Sequence, residues 1–356
     1  NGARLSSTTT APLVQLVASS LTAGTSAVNG DLLVNGDLLD VGGTGGPTGT
    51  AFARVDLEGP LLRAGSTLSL TGGLAGIFGG GVLVATPSAT DPLTSIVGGP
   101  HAIATNPGTA IFRLFGRPGA TSAETINLPE FETAVVLDLG TDRPVQGPGA
   151  TAFGRTLLEA SGASVSGQSV LRVDTALLEA TLPALRLRSG STLTSTTDAF
   201  DLSLKAKVTS LGPLLTLDAS TLNVTNGALI RLANGSFLNI TGDLLSLGNG
   251  SLVNLANGPV LNVTGNSVAR ITGALVSFVG TGNQININNN ACGGGAECLN
   301  FGPVRVAITG GATASNLSIN AAGVVKGAGG TINYSSPTAA AIVVNGSGSR
   351  VVIQGQ

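Results

Sequence analysis

The only local gathering of titratable side chains in this sequence is Glu124, Glu130 and Glu132, with Arg113, Arg117 and His101 on the approach to it. Two carboxylates held across a glycosidic bond, or acids that hold a metal beside a basic group, would cut a polysaccharide, so this group carries the enzymatic reading. The remaining acids do not reinforce it. Glu159, Asp174 and Glu179 fall in successive repeats but not at one position of the repeat, and Asp201 and Asp218 are likewise out of step. Only 10% of the residues are charged, and isolated surface charges that keep such a chain in solution account for the group at least as well. The expectation is a protein that is not an enzyme, with no catalytic residues, no cofactor and no metal site.

Cys292 and Cys298 are the only cysteines, and they enclose a Gly-Gly-Gly-Ala-Glu loop. A zinc site needs more ligands than two thiols supply, and the sole histidine is far away in sequence. A redox pair would have two intervening residues rather than five. A local disulfide closing a glycine-rich turn is expected, which implies an oxidising compartment; two free buried thiols are the alternative. The absence of Met and Trp, both prone to oxidation, points the same way.

Asn-x-Ser/Thr sequons fall at Asn223, Asn234, Asn239, Asn249, Asn262, Asn316, Asn333 and Asn345. They are candidate glycosylation sites if the source makes this modification. Asparagines stacked in hydrogen-bonded ladders on the outside of a repeat array are the competing account, because Asn-Gly-Ser is good turn chemistry and a repeated unit copies its own turns.

Formal net charge is only -2 and the 17 Lys and Arg residues are scattered. A nucleic-acid footprint needs a basic stripe, so that partner is not expected. No apolar run approaches the length of a membrane-spanning helix. A calcium-binding solenoid would repeat Gly-Gly-x-Gly-x-Asp, which is missing, and an ice-binding face would repeat Thr-x-Thr through several coils, whereas the cluster Thr192, Thr194, Thr196 and Thr197 is not repeated in neighbouring units. The chain begins at Asn1 and contains no Met. A translated protein starts with Met, so removal of an N-terminal leader on export is expected, with simple trimming as the plainer account. The expected location is extracellular or at the cell surface.

The elements that position all of these residues show in the apolar pattern. One column reads Leu158, Leu171, Leu185, Phe200, Leu215, Ile230, Leu245, Leu261, Val276, at a spacing of about 15. A second lies two residues on: Ala160, Val173, Leu187, Leu202, Leu217, Leu232, Leu247, Val263, Phe278. After a break rich in Gly, Asn, Ser and Asp come a third (Leu222, Leu238, Val253, Ala269, Ile285) and a fourth (Val224, Ile240, Leu255, Ile271, Ile287), again two apart. A spacing of two puts side chains on one face of a strand. Recurrence at a fixed longer period marks a solenoid, whose units bury their apolar faces only against neighbours. The fold class is therefore all-β, a β-solenoid (parallel β-helix) with repeats of about 15 residues plus an irregular Gly/Pro-rich insertion. At about 3.3 Å per residue, 15 residues make a loop of perimeter near 50 Å and could be a whole thin coil. Two repeats could instead form one wider coil, and the sequence leaves both open.

Along the chain, 1–30 reads as an extended N-terminal segment and candidate intersubunit strand, and 31–71 as the first solenoid coils. The stretch 72–152, with Gly79-Gly80-Gly81 and many prolines, reads as an insertion or a set of elaborated coils. The main array runs from 153 to 356. The units at 228–241 (ALIRLANGSFLNIT) and 243–255 (DLLSLGNGSLVNL) resemble coils of bacterial extracellular β-solenoids, the filamentous-haemagglutinin-like adhesins and fibre subunits among them. The similarity is one of style, small polar turns between short Leu/Val strands. It implies an exported structural or adhesive protein.

A solenoid exposes an unpaired strand edge at each end, and soluble monomers blunt these edges with helices, charges or prolines. Both terminal regions here are nearly uncharged. Leu13, Val14, Leu16 and Val17 at one end, and Ile342, Val344, Val351 and Ile353 at the other, are the expected assembly residues. The leading expectation is a non-enzymatic structural subunit of an extracellular filament, sheath or pilus-like fibre. It would be a homopolymer, assembled by head-to-tail stacking or strand donation. A surface adhesin or tail-fibre module that binds surface glycans is the alternative, with a polysaccharide-degrading β-helix enzyme third.

Overall fold

A computed structural model describes residues 4–17, 21–23, 38–42, 54–78, 82–85, 88, 90–115, 136–138, 155–180 and 182–356. These residues form four sheets of 10, 9, 9 and 10 strands. The first sheet opens with Arg4–Ser7, the second with Val14–Leu16, the third with Leu21–Ala23 and the fourth with Leu39–Gly42. The chain visits the four in that order, circuit after circuit, and each strand pairs in parallel with the strand of the next circuit. The protein is a parallel β-solenoid. Ten strands about 4.8 Å apart give the first and fourth sheets a height of about 43 Å.

Register fixes the size of a coil. Leu158 lies beside Leu185, Leu185 beside Leu215, Leu215 beside Leu245 and Leu245 beside Val276. One circuit therefore takes about 30 residues and four strands, and the repeat seen in the sequence is half a coil. The first apolar column alternates between two sheets. Leu158, Leu185, Leu215, Leu245 and Val276 belong to the second sheet, and Leu171, Phe200, Ile230 and Leu261 to the fourth. Both halves of a coil use the same strand, corner, strand text, so the period alone could not tell a half from a whole.

Inward residues of adjacent levels stack like on like. Leu185, Leu215, Phe200, Ile230, Leu222 and Leu238 are all fully buried. Each half-coil adds one more core residue just ahead of its first strand: Leu214, Leu229, Leu244, Val260 and Leu275 have no exposed surface. Their backbone also pairs between levels, as in Leu214 N–H to the Leu244 carbonyl at 3.0 Å and Leu244 N–H to Ala274 at 2.9 Å. Burying one such side chain is worth about 1.5–3 kcal/mol, and only the neighbouring levels supply the burial.

The tight corners need left-handed backbone. Asn234 and Asn249 both adopt φ 55° and are followed by Gly235 and Gly250, each at φ 78°. The next residues, Ser236 and Ser251, turn inward and are buried. There the serines tie levels together: the Ser220 N–H donates to Ser251 Oγ at 3.3 Å and the Ser236 N–H to Ser267 Oγ at 3.1 Å. Asn283 takes the serine's place one level on, accepting the Ser251 N–H at 3.0 Å. Wider corners carry a buttressing aspartate, with Asp198 Oδ1 accepting the Ala228 N–H at 2.6 Å and Asp243 Oδ1 the Ala274 N–H at 2.7 Å.

The stretch 72–152 contributes strands to this stack. Its described strands Ala75–Phe78, Val82–Ala85, Thr94–Val97, Pro100–Ala102, Phe112–Phe115 and Val136–Asp138 each take a place in one of the four sheets. The strands of the N-terminal segment likewise form a level of their own, Val14–Leu16 pairing with Leu62–Ala64.

At the opposite end the order changes. After Asn283–Ile287 the chain makes the antiparallel pair Glu297–Phe301 and Val304–Thr309, the one antiparallel contact among the described residues. Leu317–Ile319, Val325–Lys326 and Gly330–Tyr334 then extend the first, second and third sheets. The last two strands, Ile342–Asn345 and Arg350–Ile353, return to interior positions in the fourth and first sheets. Ile342, Val344, Val351 and Ile353, expected at an unprotected end, are instead buried with a strand on either side. Alternation identifies the face of a strand that points inward but not its level in the stack. The fourth sheet, moreover, is closed at this end by the antiparallel strand Glu297–Phe301.

Two glycines separate crowding from backbone strain. A Cβ on Gly258 would run into the Gly227 carbonyl of the level beside it, whereas one on Gly250 would meet no atom within 4 Å. Gly250→Ala pays only for a left-handed alanine, about 1 kcal/mol. Gly258→Ala must push two levels apart and is expected to cost on the order of 3 kcal/mol. Denaturant titration of the two variants should show the larger loss at Gly258.

Candidate functional site

Of the titratable group singled out in the sequence, Glu124, Glu130, Glu132 and Arg117 lie outside the described residues. His101 and Arg113 do not form a site with each other. His101 belongs to the inward column of the third sheet, beside Val165, and is 2% exposed. Its Nδ1 accepts the Leu68 N–H at 3.3 Å, and Nε2 lies 3.0 Å from the Gly98 carbonyl. The neutral ring with hydrogen on Nε2 satisfies both partners, and burial lowers the pKa from its usual 6.5. Arg113 lies buried in the fourth sheet beside Arg172.

Most of the remaining ion pairs cross from one level to the next. Glu159, almost fully buried, takes Arg186 at 3.2 Å and also Arg188. On the fourth sheet Arg231 Nη1 donates to Asp201 at 2.6 Å, while Arg172 lies 3.3 Å from Asp174 and 3.8 Å from Asp201. Burial raises the pKa of the nearby Asp198, against the opposing pull of the Ala228 N–H, and Asp201 adds repulsion in the same direction. These carboxylates are engaged with guanidinium or backbone groups. Sequence reading at half a coil placed them out of step; at a whole coil Glu159 falls beside Arg186 and Asp201 beside both Arg172 and Arg231. Among the described residues no three His, Cys, Asp or Glu side chains gather as a metal cage. No helix among them is long and apolar enough to cross a membrane.

A continuous amide ladder runs up the outer face of the third sheet. Asn254 Nδ2 donates to Asn223 Oδ1 at 2.8 Å, Asn286 to Asn254 at 2.9 Å and Asn333 to Asn286 at 2.8 Å. At its foot Asn223 donates to Thr194 Oγ1 at 3.4 Å. The sequon residues Asn223 and Asn333 are thus rungs of this ladder. Asn234 and Asn249 are the left-handed corner residues, and Asn249 also donates to Asp218 at 2.6 Å. Asn239 and Asn262 lie on the half-buried outer faces of strands. Asn316 accepts the Thr313 N–H at 2.7 Å and donates to the Ser347 carbonyl, and Asn345 closes the strand Ile342–Asn345.

The two ends of the stack carry the remaining candidates. In the first level Leu13 is 37% and Val17 67% exposed, and Val14 and Leu16 are half-buried. At the far end Leu317–Ile319, Val325–Lys326 and Gly330–Tyr334 each have a strand neighbour on one side only among the described residues. Their inward residues Ile319, Val325 and Ile332 are half-buried against the core. Cys292 and Cys298 form a disulfide, with Cα atoms 5.5 Å apart, beside the antiparallel pair. The Cys292 N–H donates to the Thr338 carbonyl at 2.7 Å.

Two predictions follow from this geometry. An unfolded chain takes up a proton near pH 6.5 while buried His101 does not, so stability should be flat above about pH 7 and fall as pH drops through 6.5. His101→Leu should lower the melting temperature at pH 8 yet flatten its decline between pH 7 and 5. In the ladder, Asn254→Asp replaces a donor with a carboxylate facing Asn223 Oδ1, and should cost about 1–3 kcal/mol more than Asn254→Ala by chemical denaturation. Comparison of the chain with family models, with curated proteins and with solved structures finds no match.

Proposed function

We propose that this chain is a non-enzymatic structural subunit of an extracellular filament, sheath or pilus-like fibre, and that its partner is a second copy of itself. The observation that carries this reading is the far end of the stack. Three of the four sheets finish there in parallel strands with one neighbour each, Leu317–Ile319, Val325–Lys326 and Gly330–Tyr334. This end is made by residues internal to the sequence. The edge groups of such strands template the addition of another strand, and half-buried apolar side chains beneath them gain further burial when one arrives. The first level is a second such end, with exposed Leu5, Leu13 and Val17. A disulfide fits life in an oxidising compartment outside the cell.

Negative-stain microscopy of concentrated protein should show fibres of constant width; compact particles alone would overturn the reading. Ile332→Lys places a charge beneath the far edge, where it should cut fibre number by about tenfold or more while leaving the β-type circular dichroism intact. Release of reducing sugars from a polysaccharide panel would instead favour the enzymatic reading.

A further inference from the structure

The strands Ile342–Asn345 and Arg350–Ile353 occupy a level that the chain passes over and then fills. Leaving the third sheet after Ile287, the backbone does not lay its next strands on Leu261–Val263 and Val268–Ile271. It places Val304–Thr309 and Leu317–Ile319 one level further out. The gap is closed only when residues 342–353 arrive. In the fourth sheet Leu261 pairs with Ile342 and Ile342 with Val306; in the first, Ala269 pairs with Val351 and Val351 with Leu317. Two spacings of about 4.8 Å make a slot of one strand's thickness. The inserted Ile342, Val344, Val351 and Ile353 are 0 to 1% exposed in it.

The connection into the slot leaves the third sheet through exposed and half-buried residues 335–338 and enters it through Ala339, Ala340 and Ala341, which are fully buried. Asn289 grips the backbone of Ala340 from both sides, donating to its carbonyl at 2.8 Å and accepting its N–H at 3.0 Å. Arg305 donates to the Ser336 carbonyl at 2.9 Å, and its guanidinium lies 4.2 Å from the centre of the Tyr334 ring. The turn of the connection is residues 335–338, and the buried alanines 339–341 must leave their packing for the segment to swing out.

We propose that the half-coil 342–353 exchanges between two copies, each filling the other's slot, and so forms the far-end joint of the assembly. The slot recognises this segment by register and shape, and a second copy carries the identical segment. Reach decides the geometry. Residues 335–341, once released from their packing, extend at most roughly 25 Å. In head-to-tail stacking the next copy's slot lies near its own far end, about 40 Å away across a full stack. Two copies meeting far end to far end bring each slot within reach, and the contact is then a reciprocal, two-fold exchange. This deepens the filament reading by naming one of its joints.

The test mixes two chains. One carries Asn262→Cys and a mass tag, the other Val343→Cys; these positions are neighbours on the half-buried outer face of the fourth sheet. Unfolded together with the native disulfide intact, refolded at high concentration and oxidised, they should give a tagged–untagged covalent dimer. Its fraction should rise with protein concentration, because the internal copy of the segment competes at an effective concentration on the order of millimolar. A single chain bearing both substitutions serves as control; if it closes internally while the mixture gives no mixed product, the exchange is overturned. The unaltered chain refolded at high concentration should likewise contain dimers or larger species by light scattering, and a folded monomer as its only species would overturn the proposal. Cross-linked dimers without fibres would leave the exchange standing and remove the filament reading, and fibres without cross-linked dimers would do the reverse.

Discussion

Parallel pairing between one coil and the next is the interaction on which everything else in this molecule rests. A coil of four short strands has almost no stability of its own, since its backbone groups point up and down the stack rather than within the level. Only a neighbour in register satisfies them. Register is set by apolar side chains two apart, because a slip of one residue would turn the whole inward set to solvent. Once Leu215 sits beside Leu185 and Leu245, the corners and the outer face of that sheet are in register as well.

The polar chemistry of the chain obeys the same rule. Corner serines, the amide ladder and the buttressing aspartates each bond to the level above or below, at sequence separations of 28 to 32 residues except for the last rung, Asn333 to Asn286, at 47. Even the sparse charges are arranged in this way, Arg231 meeting Asp201 and Arg186 meeting Glu159. The solvent-facing guanidinium of Arg231 leaves its pair with Asp201 only half-buried, and a pair so placed biases register more than it holds the fold. The nearly buried Glu159 is different, because removing its arginines would leave a carboxylate with little water around it.

Much of this was visible in the amino-acid order. The apolar columns identify the strands and their inward faces, and the asparagine-rich turns foreshadow a ladder that includes Asn223 and Asn333. The size of the coil was not visible, because its two halves are written alike and the first column passes through two sheets. That ambiguity also hid the ion pairs, which come into step only at the longer period. The buried serines following Asn234-Gly235 and Asn249-Gly250 were readable as sequons and not as inward staples, although their repetition after a left-handed pair was the signal. The level of residues 342–353 lay beyond any pattern, since alternation is a local property and insertion between distant strands is not.

That insertion also sets the order of events in time. Most strands neighbour a segment about 30 residues earlier, so coils can zip together as the chain is synthesised. Leu261 and Ile342, by contrast, are roughly 80 residues apart, as are Ala269 and Val351, and these contacts close long loops in the far end of the fold. Val304–Thr309 and Leu317–Ile319 emerge before the strands that must lie beneath them. The far end therefore stays open until its last piece arrives, and completion of the stack is a discrete, late step rather than the final increment of a steady winding.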